Sequence, residues 1–206
     1  WNRQGLHLVS AWSVQNGLVL GQLATDAKSN EITAIPRLLE LLNLKGAILS
    51  IDAIGCQSGI AAQIVQAQAD YVLAVKANQP TLHAKVKALL DEAILEQFAG
   101  LRGDYFEQTD GGHGRIETRR VWVSDEVQHL RGIGDWPGLA SVAAVECRRE
   151  VIGGPTSTER RYFISSLKGC DARRMAEAVR GHWGVENQLH WRLDMGFRED
   201  ESRIRK

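Results

Sequence analysis

Gly46-Ala-Ile-Leu-Ser-Ile-Asp-Ala-Ile-Gly55 opens the segment whose reading decides the fold. A short run rich in apolar side chains predicts a strand buried on both faces, ending on Asp52 with a glycine turn behind it. Gln57 to Ala69 is alanine-rich and carries Ile60, Ile64 and Val65 at helical spacing. Tyr71-Val-Leu-Ala-Val-Lys76 predicts a second buried strand. Strand, helix and strand within about 30 residues make a βαβ unit with parallel strands. In open α/β sheets ligands collect outside the carboxyl ends of such strands, and Asp52 and Lys76 both stand there. An ionised Asp at that place costs desolvation unless a cation or hydrogen-bond donors meet it. A cap on the following turn would satisfy Asp52 as well as a functional role would, and a lysine like Lys76 commonly reaches for solvent.

Upstream, Leu6-His-Leu-Val-Ser-Ala-Trp12 alternates, Asn16-Gly17 is a tight-turn pair, and Leu18-Val-Leu-Gly-Gln-Leu23 runs back, which predicts a hairpin. A helix follows through Ile32, Ile35, Leu38, Leu39 and Leu42, capped by Ser29 or Asn30, with Pro36 early enough to be tolerated. Downstream, Pro80 to Phe98 is helical, with Leu82, Val86, Leu89, Leu90 and Ile94 as its apolar row.

From Gly103 the apolar period shortens to two. Tyr105–Thr109, Ile116–Val123, Ala140–Val151 and Ser157–Ser165 predict a β-rich segment inserted into the α/β frame. Asp110-Gly-Gly-His-Gly-Arg115 offers amides that could approach phosphate, but no helix follows it, and a hairpin turn is the simpler reading. Arg119-Arg120, Arg148-Arg149 and Arg160-Arg161 each place one guanidinium on either face of a strand. Neighbouring strands would then carry a row of guanidiniums suited to phosphate, or a row balanced by Glu117, Glu146, Glu150 and Glu159. Trp122 and Trp136 suit base stacking, or core packing and loop anchoring respectively. Asp171 caps a further helix through Met175, Ala178 and Val179, which Gly181 or Gly184 could kink.

Arg180-Gly-His-Trp-Gly-Val-Glu-Asn-Gln-Leu-His-Trp-Arg-Leu-Asp194 closes the series. His182, Glu186, His190 and Asp194 recur at every fourth position, and four residues of helix drift only about 40° around the axis. They form one band beside a row of Val185, Leu189 and Leu193. A carboxylate at the rim of a core suits a metal ligand or general base, and a solvated polar face with ion pairs gives the same pattern.

Composition narrows the class. At 206 residues, 44% hydrophobic and 24% charged, the chain has the make-up of a soluble globular protein. No apolar run approaches the roughly 20 residues of a membrane helix and no signal-peptide pattern is present, so no membrane role is expected. Cys56, Cys147 and Cys170 are far apart and lack metal-ligand spacing, which points to a reduced, cytoplasmic setting. The 25 basic and 25 acidic residues cancel, so nucleic-acid binding would depend on local patches. A start at Trp1 and an end at Ser202-Arg-Ile-Arg-Lys206 give the expectation of a chain cut at both ends.

Several segments together carry a family resemblance. They are Lys28-Ser-Asn-Glu31, Ser50-Ile-Asp-Ala53 with Gly55 and Gln57, Val75-Lys-Ala-Asn-Gln-Pro80, His113-Gly-Arg-Ile-Glu117, and His182-Trp-x-x-Glu186-Asn-x-x-His190-Trp-x-x-Asp194 continuing through Phe197, Glu199-Asp200 and Ser202-Arg203. Over nearly its whole length the chain resembles an insertion-sequence transposase of the DDE type, in the group of H-repeat-associated proteins. The resemblance implies a ribonuclease-H-like α/β fold: a mixed sheet flanked by helices, with a β-rich insertion before the Glu-bearing helix. It divides the chain into residues 1–99 and 169–206 as the core and 100–168 as the insertion. Asp52 matches the second acidic residue of the family and Glu186 the last, 134 positions apart. These two are the implied catalytic and metal-binding residues, with two Mg²⁺ (or Mn²⁺) ions in the complete protein.

The implied chemistry is cleavage and strand transfer at insertion-sequence ends, on DNA, by a homodimer. The family's first Asp would precede Trp1, so impaired activity is expected of this chain. The broader group's Tyr-x2-Arg-x3-Glu-x6-Lys pattern, counted from Glu186, falls on Val179, His182 and Leu193, so only the Glu matches. The DNA-binding candidates are Lys76, His113, Arg115, Arg119, Arg180, His182, His190 and Arg192. Two other readings remain: a non-catalytic remnant that binds DNA or a partner protein, and a zinc hydrolase using His182, Glu186 and His190. The His-x3-Glu-x3-His spacing departs from the His-Glu-x-x-His zinc pattern.

Overall fold

The computed structural model describes residues 7–25, 31–112 and 114–184. His113, Glu186, His190 and Arg192 lie outside the described residues. Strands β1 (His7–Ser13) and β2 (Leu18–Thr25) form the expected antiparallel hairpin, with a bulge between Ala11 and Trp12. Gly17 takes φ +62° at the turn, where its amide donates to the Ser13 carbonyl at 2.8 Å. Helix α1 (Glu31–Glu40) packs on this hairpin through a buried row of Ala34, Ile35, Leu38 and Leu39. Pro36 lies inside α1, and its carbonyl accepts the Gln63 side-chain amide at 2.8 Å, which ties α1 to α2.

The larger sheet has the order β3-β4-β8-β7-β6-β5. Its strands are β3 (Ile48–Ile51), β4 (Asp70–Val75), β5 (Gly103–Gly112), β6 (Arg115–Ser124), β7 (Ser141–Val151) and β8 (Thr156–Ser165). β3 and β4 are parallel, joined by helix α2 (Ser58–Gln66) as the βαβ pattern requires. Every other neighbouring pair is antiparallel, so the sheet is mixed. The β-rich segment expected over residues 100–168 supplies β5–β8 and joins β4 through β8, so hydrogen bonding runs unbroken across one sheet.

Period-two alternation sends successive residues into two cores. Tyr71, Leu73 and Val75 of β4, Val142 and Ala144 of β7, and Tyr162 and Ile164 of β8 meet α2 and α3 (Pro80–Leu95). Val72, Ala143, Val145 and Phe163 face the other way and meet α4 (Ala172–Gly184) through Ala172, Met175 and Val179. α4 runs as one helix to Gly184, with no break at Gly181.

One expectation needs correction. β3 is half-exposed along its length, with Ile48 37% exposed, instead of buried on both faces. Among the described residues it pairs only with β4 and forms the edge of the sheet. An apolar run reads the same in an edge strand as in a central one; the partner strands make the difference. Leu73→Ala, in the doubly covered β4, should therefore cost about 2–5 kcal/mol. Ile48→Ala should cost less than about 1.5 kcal/mol, both read as shifts in the urea midpoint at constant m.

Candidate active site

Parallel pairing places the carboxyl ends of β3 and β4 side by side, and the antiparallel β8 brings its amino end to the same edge. Side-chain parity then selects what faces α4. Ser50 and Asp52 continue one face of β3, Val72, Ala74 and Lys76 one face of β4, and Arg161 and Phe163 one face of β8. These residues floor a cleft of about 50 Å³, and Val179 and His182 of α4 form its roof. Of the residues singled out from sequence, the structure thus brings together Asp52, Lys76 and His182. Arg161 joins them. The Arg160-Arg161 pair drew notice in the sequence only as part of a row, and its parity with Phe163 was the signal that places it here. Arg161 is not an isolated cation, since Glu159 accepts from it at 2.8 and 2.9 Å.

Asp52 is exposed and extended, with φ −69° and ψ −180°. It caps the 3₁₀ turn Ala53–Gly55 by accepting the Ile54 amide on Oδ1 at 3.1 Å. The plain capping role foreseen for Asp52 is therefore real, and it occupies one oxygen. No described residue donates to Oδ2. Gly55 holds the turn against the core: a Cβ there would stand 2.4 Å from Ile51 Cγ2 and 3.1 Å from Ile35 Cδ1. Cys56 next to it is fully buried, and burial pushes its thiol up to about 12, so it stays an uncharged packing group.

α4 is aimed by its two ends. At its start Asp171 Oδ1 accepts from the Arg174 amide and Asp104 Oδ2 from the Ala172 amide, both at 2.8 Å. The Arg173 guanidinium lies over the Phe106 ring at 5.0 Å. Toward its end Gly181 leaves room for Val14 of the hairpin turn, which a Cβ would meet at 3.1 Å. Between them Arg180 Nη1 donates to Asp110 Oδ2 at 2.7 Å, tying the helix to β5. Ala172, Met175 and Val179 make the buried row, and His182 follows on the same side, three residues after Val179.

The guanidinium row exists, and it is balanced by carboxylates. On the α4 side, buried Glu117 accepts from Arg115, Arg119 and Arg149, and Asp110 takes both Arg119 and Arg180. On the α3 side Glu146 pairs with Arg120 and Arg160, and Asp91 with Arg160 and Lys87. Arg115, Arg119 and Arg180 are thus held by carboxylates of β5 and β6, away from the cleft lining. The glycine loop is the turn of the β5–β6 hairpin, with Gly112 paired to Arg115. Trp122 packs at the core margin below Arg160, and Trp136 anchors its loop through Nε1 donating to the Ile133 carbonyl at 3.2 Å.

The donor chemistry at the cleft fits a hard divalent cation in one respect: among the described residues Asp52 Oδ2 has no hydrogen-bond donor. Among the described residues no group of three His, Cys, Asp or Glu side chains converges to hold a metal ion. No described helix is long and apolar enough to cross a membrane.

Arg180 beside Asp110, helped by Arg119 and Gln108 and opposed by desolvation, holds the Asp110 carboxyl below the usual aspartate range. A depressed folded value stabilises above the unfolded value, and that contribution is lost as pH falls through the folded one. Both side chains are well exposed, so the pair adds little stability. Arg180→Ala should move the Asp110 carboxyl back up toward its ordinary value in a carbon-detected NMR titration. An unchanged midpoint would mean that the pair does not form in solution.

Comparison with known proteins gives this geometry a family. The family described as "Transposase DDE domain" matches residues 2–206. The chain is 44% identical over 204 residues to "Putative transposase YncI" of Escherichia coli O157:H7, covering 98% of this chain and 51% of that relative. It is 40% identical over 209 residues to "H repeat-associated putative transposase YhhI" of Escherichia coli (strain K12), covering 99% of this chain and 54% of the relative. A protein of Xanthobacter autotrophicus named "Uncharacterized protein in dhlA 3'region" is 48% identical over 163 residues, covering 79% of this chain and 54% of its own length. The chain spans about half the length of these relatives. No solved structure matches it significantly. The chain belongs to the DDE-domain transposase family, and its helix-flanked mixed sheet is the ribonuclease-H-like fold expected there.

Proposed function

We propose that this chain carries the second and last acidic residues, Asp52 and Glu186, of a transposase that cuts and joins DNA at insertion-sequence ends. The observation that carries the reading is the cleft in which Asp52 stands at a parallel strand end among Lys76, Arg161 and His182. A carboxylate ringed by cationic and ionisable groups suits the approach of a phosphodiester, whose negative charge the side chains offset while the carboxylate is left for a cation. Glu186 follows His182 by four residues, one helical turn, in the sequence. Asp52 Oδ2 and Glu186 would hold Mg²⁺ (or Mn²⁺) together with the family's first Asp. When bound, the ions activate the attacking oxygen and stabilise the leaving one.

Within that scheme Lys76 and His182 orient the phosphate next to Asp52. His113, Arg115, Arg119, Arg180, His190 and Arg192 are the further candidates for the DNA backbone. Arg115, Arg119 and Arg180 would have to exchange a carboxylate partner for phosphate, which favours Lys76 and His182 as first contacts. The acting species is read as a homodimer on DNA.

In a longer protein containing this chain, Asp52→Asn and Glu186→Gln should each lower Mg²⁺-dependent cleavage of insertion-sequence-end DNA by at least about a hundredfold. Binding to the same DNA in Ca²⁺ should be retained. Cleavage by Asp52→Asn at the unaltered rate would overturn the reading. Wild-type protein that binds the ends without cutting them would favour a DNA-binding remnant.

A further inference from the structure

The amide side chains of Asn78 and Gln79, in the loop leaving β4, take no part in the reading above. Because β3 and β4 are parallel, the loops leaving them lie side by side at one end of the sheet. Asn78 Nδ2 donates to the Ala53 carbonyl, and Gln79 Nε2 donates to the Cys56 carbonyl at 3.0 Å and approaches Gln57 Oε1 at 3.5 Å. Ala53 and Cys56 bracket the turn on which the orientation of Asp52 depends, and the Ile54 amide that meets Oδ1 lies between them.

On its far side the turn is also held by Gln57, whose amide donates to the Gly55 carbonyl at 2.9 Å and whose Nε2 donates to the Ile54 carbonyl at 3.4 Å. The turn's own backbone bonds, Gly55 amide to Asp52 carbonyl and Cys56 amide to Ala53 carbonyl, are both 3.2 Å, at the long end for a peptide pair. A single 3₁₀ turn has poorer bond geometry than an α-helix, and Ile54 at its centre points outward. The core grips only the far side, through Gly55 and Cys56. The near side, which carries Asp52, is held by the clasp from the neighbouring loop. The Asn78 and Gln79 donors are in turn fixed in place. The Gln79 amide donates to the Lys76 carbonyl at 3.0 Å, and α3 begins at Pro80 immediately behind.

The geometry points to Asn78 and Gln79 as positioning residues for Asp52: their clasp on Ala53 and Cys56 fixes the turn that takes Oδ1, and so directs Oδ2 into the cleft. The inference rests on the reading of Asp52 as a residue of the reacting centre. Neither residue lines the cleft itself: Asn78 reaches it only through the carbonyl of Ala53, and each acts through the turn.

Asn78→Leu and Gln79→Met keep the approximate size of each side chain and remove the donor. In this chain the pair of substitutions should speed amide exchange at Ile54 by about tenfold, with exchange in β4 unchanged and the melting temperature within a few degrees of the parent. In the longer protein the Mg²⁺ concentration for half-maximal cleavage should rise by about tenfold, with DNA binding in Ca²⁺ unaltered. A purely structural role would lower binding and cleavage together without moving the Mg²⁺ requirement. Unchanged exchange at Ile54 would overturn the clasp, and a loosened Ile54 with an unchanged Mg²⁺ requirement would overturn its role in positioning. If the double variant does not fold, either single substitution carries the same two readouts. Unaltered cleavage by Asp52→Asn would instead count against Asp52 itself, and exchange at Ile54 would still decide the clasp.

Discussion

β4 gives up both faces to cores. Tyr71, Leu73 and Val75 enter the layer beneath α2 and α3, while Val72 meets the layer beneath α4, and all four are essentially inaccessible to water. It also pairs in opposite senses on its two edges, parallel to β3 and antiparallel to β8. That double commitment fixes the cleft. The parallel partner sets Asp52 beside Lys76, the antiparallel partner sets Arg161 across from them, and the layer on the Val72 side sets α4 and His182 above. Slipping β4 by one residue would exchange its two faces and dismantle both cores at once, so the register is strongly specified.

Charge is arranged differently in the two halves of the sheet. Over β5–β8 the arginines are matched across strands by Glu107, Glu117 and Glu146, in pairs and triples that leave little net field. Pairs of this kind, partly exposed, add modest stability and favour one strand register. At the strand ends beside α4 the pattern changes: among the described residues Asp52 keeps an oxygen without a donor, and Lys76 ends exposed at the same edge. A chain of zero formal charge can therefore still gather ionisable groups at one local site. The position of that site follows from topology, as ligands gather outside the carboxyl ends of parallel strands.

Most of this architecture was legible in the residues. The βαβ unit, the Asn16-Gly17 hairpin and the shift to period two after Gly103 all follow from patterns that local geometry enforces. Asp52 was legible as a strand-end carboxylate, and the structure bears out its capping role, with Oδ1 accepting the Ile54 amide. The edge position of β3 was not legible, because an apolar four-residue strand does not encode how many neighbours it has. Neither was the fate of the arginines. Their sequence pairing shows that each strand turns one guanidinium to each face, but one of the two carboxylates that meet Arg119 comes from Asp110 on another strand. Asn78 and Gln79 were noticed only as part of the Val75–Pro80 segment, because the backbone carbonyls they hold, on Ala53 and Cys56, have no signature in sequence.

The account stands on Asp52 and Glu186 sharing one site. The most direct measurement pairs Asp52→Cys with Glu186→Cys in a chain whose Cys56, Cys147 and Cys170 are replaced, and treats it with a short bifunctional thiol reagent. Groups that share metal ions about 4 Å apart lie within reach of one another, so the account predicts an intramolecular cross-link in high yield. Failure to cross-link, while each single substitution reacts freely with a monofunctional reagent, would contradict it.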